Sequence, residues 1–397
     1  MALSLTVLMA FGTAPTPLWP LYQARDQFGA TTVTLAYASM VVGAGAAFLT
    51  LGHLSDRLGR RRMIVPALLV GITASVVLIA WQDLPALFVG RILNGVGLGL
   101  MASTATAYLH DLHARTRPAR TNSALPGIVA TAANLGGLAT GPLVAGAIAQ
   151  WLPEPLVTVQ ALFIAAMALC VALVVSTPET VDRTTSSAAP PSRFALRPAS
   201  RAAFCAAGAL GGCAFAILGL ISSLGAAILH DRIHNDSHLI AGLAPFLMFG
   251  SAATAQLVLG RLALSRILTV GVLIFPMGLA LCAVALSHPL LSLYLVAVSL
   301  SGAGAGLLFK AGLDQAAAVA APASRAGVLA IYFVISYIGM GLPAVLFSIT
   351  LRHAGIGTVM AGFAAVLSAG AATAAAVALR GRPPHGSQQP DSGPKRG

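Results

Sequence analysis

The feature that most constrains this sequence is a series of long apolar runs separated by short charged segments. A helix needs roughly 20 apolar residues to cross a bilayer, and each run is about that long. Twelve runs lie near residues 2–22, 31–53, 63–82, 86–108, 123–149, 155–177, 202–229, 238–259, 267–286, 290–311, 325–350 and 356–379. Twelve crossings of about 20 residues with short connections take up almost all of the 397 residues, and only 9% of the residues are charged. The chain therefore has no room for a separate soluble domain. We therefore predict an all-α membrane protein with twelve transmembrane helices.

The positions of the basic residues support this count independently. Lys and Arg concentrate in cytoplasmic loops of membrane proteins. If both termini are cytoplasmic, most of the 23 basic residues fall in inner segments. Only Arg25, Arg232 and Arg352 fall in outer loops, and Arg91 lies within the fourth run. We expect a multi-pass protein of the plasma or inner cell membrane with both termini in the cytoplasm.

The longest polar interval divides the chain into two halves of six runs each. Residues 178–200 contain several prolines and a Thr-Thr-Ser-Ser run, which favour a linker. We predict six-helix bundles over 1–177 and 201–380, a cytoplasmic linker over 178–200, and a disordered tail over 381–397. No basic segment precedes the first run, which argues against a cleaved signal peptide and leaves open a natural start further upstream.

Several function classes are disfavoured by charge and residue type. The net charge of +12 follows from the inner loops, so we expect no nucleic-acid partner. The histidines are scattered, and His110 with His113 is the closest pair, with Asp111 between them. A metal or catalytic site needs a larger cluster. We expect no metal, no cofactor and no enzymatic activity.

An arginine-rich segment with two glycines joins the second and third runs, and it reads GHLSDRLGRRR over 52–62. Gly52 and Asp56 are four residues apart and share a helix face, so Gly52 can admit a neighbouring backbone while Asp56 meets a positive helix start. Arg60 can pair with Asp111 at the end of the fourth run. A basic stop-transfer loop would explain the arginines but neither Asp56 nor the spacing of Gly52 and Gly59. We interpret the segment as part of a gate.

The fourth run contains an arginine, and the fifth a set of glycines. Arg91 costs several kcal/mol in lipid unless it faces protein or water, although its long side chain could instead reach the nearby outer end of the helix. The fifth run reads GLATGPLVAG over 137–146. Small residues four apart allow close helix packing, and a proline removes one backbone hydrogen bond.

These three segments together resemble the signatures of the major facilitator superfamily. The patterns are G-x-L-a-D-r-x-G-r-r at 52–61, R-x-x-x-G-x-G at 91–97, and G-x-x-x-G-P-x-x-G-G from residue 137, where Ala145 replaces one glycine. The resemblance implies two pseudo-symmetric six-helix bundles, and a start of the eleventh helix near Ser324 as the partner of Asp56. The third signature is most similar to that of drug and proton antiporters.

The resemblance also implies a set of site residues. The gate residues are Gly52, Asp56, Arg57, Gly59, Arg60 and Asp111. Coupling or cavity residues are Arg91, Asn94 and Gly95, and the antiporter-like residues are Gly137, Gly141, Pro142 and Gly146. Helices one, four, seven and ten would line a central cavity, whose candidates include Thr13, Trp19, Tyr22, Ser222, Tyr294, Tyr332 and Tyr337. Such a pocket suits an amphipathic or aromatic molecule better than a phosphorylated one.

We therefore expect a secondary transporter that works as a monomer in the lipid bilayer, with a small-molecule substrate. The leading hypothesis is a proton-coupled exporter of small organic or drug-like molecules. The alternative is a transporter of a polar metabolite such as a sugar or an organic acid, coupled or facilitative. None of the eleven acidic residues falls near a predicted midplane. Proton coupling through Asp26, Asp56 or Asp111 and uncoupled facilitation stay open.

Overall fold

The computed structural model describes residues 1–51, 59–116, 124–180 and 194–380. This part of the chain contains twelve helices that are long and apolar enough to cross a membrane, which confirms the predicted fold class. We number them α1 to α12: Ala2–Asp26, Ala30–Thr50, Arg60–Ala80, Leu84–Thr116, Leu125–Trp151, Pro155–Val175, Arg201–Ile233, His238–Leu259, Leu264–Ser287, Leu291–Val319, Arg325–Thr350 and Ile356–Arg380.

The first helix is interrupted at its prolines. It consists of the α-helical segments Ala2–Thr13 and Trp19–Asp26, joined by a 3-10 turn at Thr16–Leu18. Pro15 and Pro17 lack the backbone N–H groups that a continuous helix would use here. The turn redirects the second segment, and the turn packs against α5, α7 and α8.

Helix contacts repeat between the first half, α1–α6, and the second half, α7–α12. The pairs α1–α5, α2–α4, α3–α4 and α3–α6 in the first half correspond to α7–α11, α8–α10, α9–α10 and α9–α12 in the second. Two further pairs, α2–α11 and α5–α8, join the halves. Each of these is the counterpart of the other under an exchange of halves, so the helix contacts have a twofold pseudo-symmetry.

Opposite ends of the helix bundle are marked by contacts between helix termini. At one end, which we call the Arg60 end, the start of α3 meets the end of α4. An antiparallel bridge between Leu196 and Ala320 also joins the segment before α7 to the α10–α11 connection. At the other, the Arg25 end, Arg352 donates a hydrogen bond to Thr31 Oγ1 at 2.9 Å and so connects α11 with α2.

Candidate functional site

A buried polar centre lies where α4 packs against α1. Arg91 is only 1% exposed and donates a hydrogen bond from Nη2 to the carbonyl oxygen of Gly12 at 3.2 Å. Asn94, one turn further along α4, is equally buried and donates from Nδ2 to the carbonyl oxygen of Phe11 at 3.5 Å. These carbonyls lie just before the break in α1. The alternative in which Arg91 reaches the end of its helix is therefore wrong.

Two aromatic rings flank the Arg91 guanidinium. Its Cζ lies 5.4 Å from the centre of the Trp19 ring and 5.9 Å from that of Tyr37. Both distances are within the range of a cation–π interaction. No carboxylate among the described residues forms an ion pair with Arg91. Tyr37 had no sequence signal beyond its place in an apolar run.

The close approach of α4 to α2 brings Tyr37 into this centre. A Cβ atom built at Gly95 would overlap the carbonyl group of Met40 on α2. No larger residue fits there without moving a helix, because the obstruction is backbone. Gly95, predicted as a coupling or cavity residue, lies at a helix–helix contact.

Trp19, which contacts Arg91, also connects the two halves. Its indole Nε1 donates a hydrogen bond to the carbonyl oxygen of Ser222 on α7 at 3.0 Å, and both residues are buried. Thr34 on α2 and Ser348 on α11 share a second buried contact between the halves at 2.9 Å. Together with the Arg352–Thr31 bond, these contacts join the two halves toward the Arg25 end.

Tyr22 and Thr13 have different surroundings from Trp19. The Tyr22 ring lies 6.1 Å from that of Trp19, and Arg25 lies over its other side at 5.3 Å. Arg25 also holds Asp26 in a two-point ion pair at 2.7 and 2.8 Å. Thr13 donates its hydroxyl to the Leu138 carbonyl on α5 at 2.9 Å. Of these two candidates, Tyr22 lies beside the ring of Trp19, whereas Thr13 connects α1 to α5.

The glycines of the third signature lie at backbone contacts. Built Cβ atoms at Gly137 and Gly141 would overlap the carbonyl groups of Thr6 and Ala10 on α1. A Cβ atom at Gly146 would lie 2.5 Å from the His238 carbonyl oxygen on α8. Pro142 lies inside the helix between them. One face of α5 therefore packs closely against α1, and a different face packs closely against α8 of the other half.

An ion pair lies at the Arg60 end, between α3 and α4. Arg60 Nε is 3.3 Å from Asp111 Oδ2, and Asp111 also accepts a hydrogen bond from Thr180 at 3.2 Å. The structure thus brings together the two residues that the sequence pairs. Gly52, Asp56 and Arg57 lie outside the described residues. The α11 helix begins at Arg325, directly after Ser324.

The same cluster contains Glu179, a residue that sequence analysis missed. Its carboxylate accepts the backbone N–H groups of Arg60 and Arg61 at 2.8 and 3.1 Å. It thereby caps the start of α3, where helical N–H groups have no intrahelical partner and favour a negative charge. Gly59 directly precedes α3 and has a φ of 108°, a backbone conformation that residues other than glycine rarely adopt. The available signal was an acid just after the sixth run.

Glu179 is itself held against α4. Arg115 donates a hydrogen bond to its backbone carbonyl at 2.9 Å, and Tyr108 donates to the neighbouring Pro178 carbonyl at 2.7 Å. The first residues of the predicted linker are therefore bound to the first half. Its last residues are bound to the second half, where Arg197 N donates to the Val319 carbonyl at 2.9 Å.

We predict that Glu179→Ala frays the start of α3 and destabilises the protein by about 1 to 2 kcal/mol, the usual cost of losing a helix cap. Trypsin should then cleave faster at the arginines 60–62 in detergent. Glu179→Gln keeps one acceptor oxygen and should lie between the two. Equal cleavage of all three proteins would contradict the capping role.

Tyr332 and Tyr337 belong to a cluster of six rings at the junction of α2, α7, α10 and α11. Phe48 stacks on Phe333 with ring centres 5.1 Å apart, across the boundary between the halves. Tyr332 donates its hydroxyl to the Phe309 carbonyl at 2.7 Å. The cluster comprises Phe48, Phe215, Phe309, Tyr332, Phe333 and Tyr337. Spacing along single helices could not indicate a cluster built from four of them.

Two charged residues stand next to this aromatic cluster on α10. Lys310 Nζ lies 2.6 Å from Asp314 Oδ1, and both side chains are partly exposed. They escaped prediction as a pair because the tenth helix extends eight residues beyond its predicted end, to Val319. Tyr294, the remaining predicted cavity residue, is 1% exposed and lies near Gly225 of α7.

Two sequence relatives match a short segment of this chain. The chain is 34% identical over 82 residues to the Staphylococcus epidermidis glucose transporter GlcP, covering 21% of this chain and 18% of that protein. It is 31% identical over 77 residues to the Bacillus subtilis arabinose-proton symporter, covering 19% of this chain and 17% of that protein. The matched segments span less than a fifth of either relative.

Solved structures match the fold over almost the whole chain. A peptide transporter of the POT family in an auto-inhibited state has a TM-score of 0.74, 14% identity, and coverage of 96% of each chain. The nucleoside transporter NupG has a TM-score of 0.69 and 17% identity, with 94% of this chain and 97% of that chain covered. The human organic anion transporter MFSD10 (TETRAN) has a TM-score of 0.68, 17% identity and the same coverage.

A family model covers most of the sequence. The model of the Major Facilitator Superfamily matches residues 1–342, which include the described part of all three signatures and eleven of the twelve helix starts. The helix pairing and the solved structures agree with the fold that this family implies. The chain therefore belongs to the Major Facilitator Superfamily and is a multi-pass membrane transporter.

Proposed function

We propose that this transporter works by alternating access, with the two halves rocking about the buried centre around Arg91. The observation that carries this proposal is the Trp19–Ser222 bond, which joins the halves on the Arg25 side of polar residues that are otherwise sealed from solvent. Rocking would break this bond and the Thr34–Ser348 contact. The proposed boundaries of the rocking units are 1–177 and 201–380.

The orientation we propose places the Arg60 end and both termini in the cytoplasm of the cell that bears this membrane. The basic residues of the inner segments support it. Arg60, Asp111 and Glu179 would then form the cytoplasmic gate contacts of α3 and α4. Asp56 and Arg57, which lie outside the described residues, are further gate residues that we propose from the sequence alone.

The leading substrate proposal is export of small organic or drug-like molecules in exchange for protons. It is supported by the glycine pattern of α5, which packs against α1 and α8, and by aromatic side chains that outnumber charged ones near the junction of the halves. Flat, apolar molecules bind well between such rings.

A polar metabolite is the second candidate. Proteins similar to this chain over a short segment are a glucose transporter and an arabinose-proton symporter. Buried amides also favour it, since Asn94 and Gln160 place hydrogen-bonding groups inside the first half. These groups would match substrate hydroxyls.

Transport assays separate these two candidates. We expect cells that express the chain to gain resistance to lipophilic toxic compounds, and to lose that resistance with Arg91→Gln. Proteoliposomes loaded with labelled glucose or arabinose test the alternative by counterflow. Sugar counterflow without resistance would replace the leading proposal by the second.

Proton coupling requires an acid whose neutral variant exchanges substrate but does not accumulate it. We propose Asp26, Asp56 and Asp111 as the acids to test, each replaced by Asn. Counterflow measures exchange, and a pH gradient drives accumulation. If all three variants accumulate substrate as the parent does, coupling through these acids is wrong and another group must carry the proton. If the parent itself exchanges substrate but does not accumulate it, facilitation is favoured.

We predict that Trp19→Phe opens the Arg25 end. Phenylalanine keeps a ring against Arg91 but cannot donate to the Ser222 carbonyl, and a hydrogen bond contributes about 1 kcal/mol, or roughly a fivefold shift in population. Access from that end is measured by the labelling of a single cysteine, introduced by Ser223→Cys in a background without the four native cysteines. Trp81→Phe is the control. Unchanged labelling would contradict the gate role of Trp19.

A further inference from the structure

We propose that the transported molecule is a small organic monocarboxylate with a hydrogen-bond donor near its carboxylate, and that Arg91 is the counter-ion. This inference rests on the proposed transport function and narrows its substrate class. It begins from a physical irregularity: a fully buried arginine that has no acidic partner among the described residues.

A buried charge without a partner is costly. Removing one ion from water costs several kcal/mol even after a protein relaxes around it. Arg91 recovers part of this through the Gly12 carbonyl and the two flanking rings. These groups are neutral, so the positive charge itself is not balanced. A substrate anion would balance it.

The free atoms of the centre define what this anion must carry. Arg91 Nε is buried and has no hydrogen-bond acceptor within the described part of the chain, and the same part offers no donor to Asn94 Oδ1. The two residues are three apart on α4 and share a face. A carboxylate oxygen suits the free N–H, and a hydroxyl on the neighbouring carbon suits the free amide oxygen.

The charge of the centre also limits the substrate. One guanidinium balances one negative charge, and the rings of Trp19 and Tyr37 beside it carry no charge. A dicarboxylate or a phosphate would leave charge unbalanced in a buried site. The rings instead favour an apolar or aromatic remainder, which agrees with an amphipathic substrate.

Substrate binding at Arg91 can affect the contact between the halves, because Trp19 takes part in both. Trp19 contacts the Arg91 guanidinium with its ring and the Ser222 carbonyl with its N–H. A carboxylate that draws Arg91 away from Trp19 weakens one contact of the residue that joins the halves. Anion binding and opening of the Arg25 end are thereby connected through one side chain.

Trp19 also makes the proposal measurable. The chain has three tryptophans, and the other two, Trp81 and Trp151, are exposed at helix ends. Trp81→Phe with Trp151→Phe leaves Trp19 as the reporter in purified protein. The probes are mandelate, its neutral amide mandelamide, and phenylacetate, which lacks the hydroxyl.

We expect mandelate to change Trp19 emission saturably, phenylacetate to bind more weakly, and mandelamide weakest of the three. Arg91→Gln should weaken mandelate binding about 30-fold or more, because losing one partner of a buried charge pair costs at least about 2 kcal/mol. Arg266→Gln removes an exposed positive charge and should change binding by less than about twofold.

Arg91→Lys keeps the positive charge and provides a second test if the Arg91→Gln variant does not fold. It should retain the preference for mandelate over mandelamide. The proposal is overturned if mandelamide binds as well as mandelate to the parent or to Arg91→Lys, or if the parent binds none of the probes. If neutral toxic compounds are still transported in that case, the proposed transport function stands and only the substrate class is wrong.

Discussion

Replacing Gly141 by valine is expected to separate α1 from α5 and to destabilise the protein by about 3 kcal/mol or more. A Cβ atom at this position would lie 2.7 Å from the carbonyl carbon of Ala10 and 2.8 Å from its Cα. Both atoms belong to backbone, so no side-chain rotation can relieve the overlap. The helices must move apart, and the buried contacts of α1 with α5 are lost with them.

The same helix contains a matched control. Gly136 lies five residues earlier on α5, and a Cβ atom there would meet nothing within 4 Å. Gly136→Val makes the same change in helix propensity without the overlap. Unfolding followed in detergent should show a melting temperature lower by roughly 5 °C for Gly141→Val alone. Equal shifts would mean that the α1–α5 contact does not limit stability.

Replacing Gly242 by valine is expected to reduce transport at least about tenfold while each half keeps its fold. Gly242 lies on α8 at the contact with α5, where a Cβ atom would lie 2.9 Å from the Pro142 carbonyl carbon and 3.2 Å from Leu143 Cα. This contact joins the two halves. A wedge there changes how the halves meet, and the proposed rocking motion depends on that geometry.

Gly250→Val is the control for this second prediction, because a Cβ atom at Gly250 on α8 would also meet nothing within 4 Å. Counterflow in proteoliposomes measures transport, and size-exclusion chromatography measures the folded fraction. Normal counterflow by Gly242→Val would show that the α5–α8 contact tolerates widening. Loss of folded protein would instead place Gly242 with Gly141 as a stability residue.

The helix count was predictable because lipid allows only one solution for each long apolar run. Backbone groups find no partners in hydrocarbon, so each run forms a helix that satisfies them internally. The break in α1 was predictable for the same reason, since Pro15 and Pro17 remove N–H groups locally. The Arg60–Asp111 contact follows from two charges at helix ends on the same side.

Other parts of the site could not be predicted in this way. Glu179 follows the sixth helix in sequence, yet its carboxylate caps the third. The ring of Phe48 meets that of Phe333, which is 285 positions away in the numbering and in the other half. Neither contact produces a periodic pattern of residues along the chain. Such contacts therefore cannot be predicted from which residues share a helix face.

The sequence by itself determined twelve membrane-crossing helices and placed an arginine within the fourth, because the cost of exposing polar groups to lipid acts on each segment separately. Only the tertiary structure decided what surrounds that arginine. How separate helices meet places the carbonyls of a broken helix and the rings of Trp19 and Tyr37 around Arg91, and gives it no acidic partner among the described residues. Packing between distant segments, which local hydropathy does not encode, sets that arrangement.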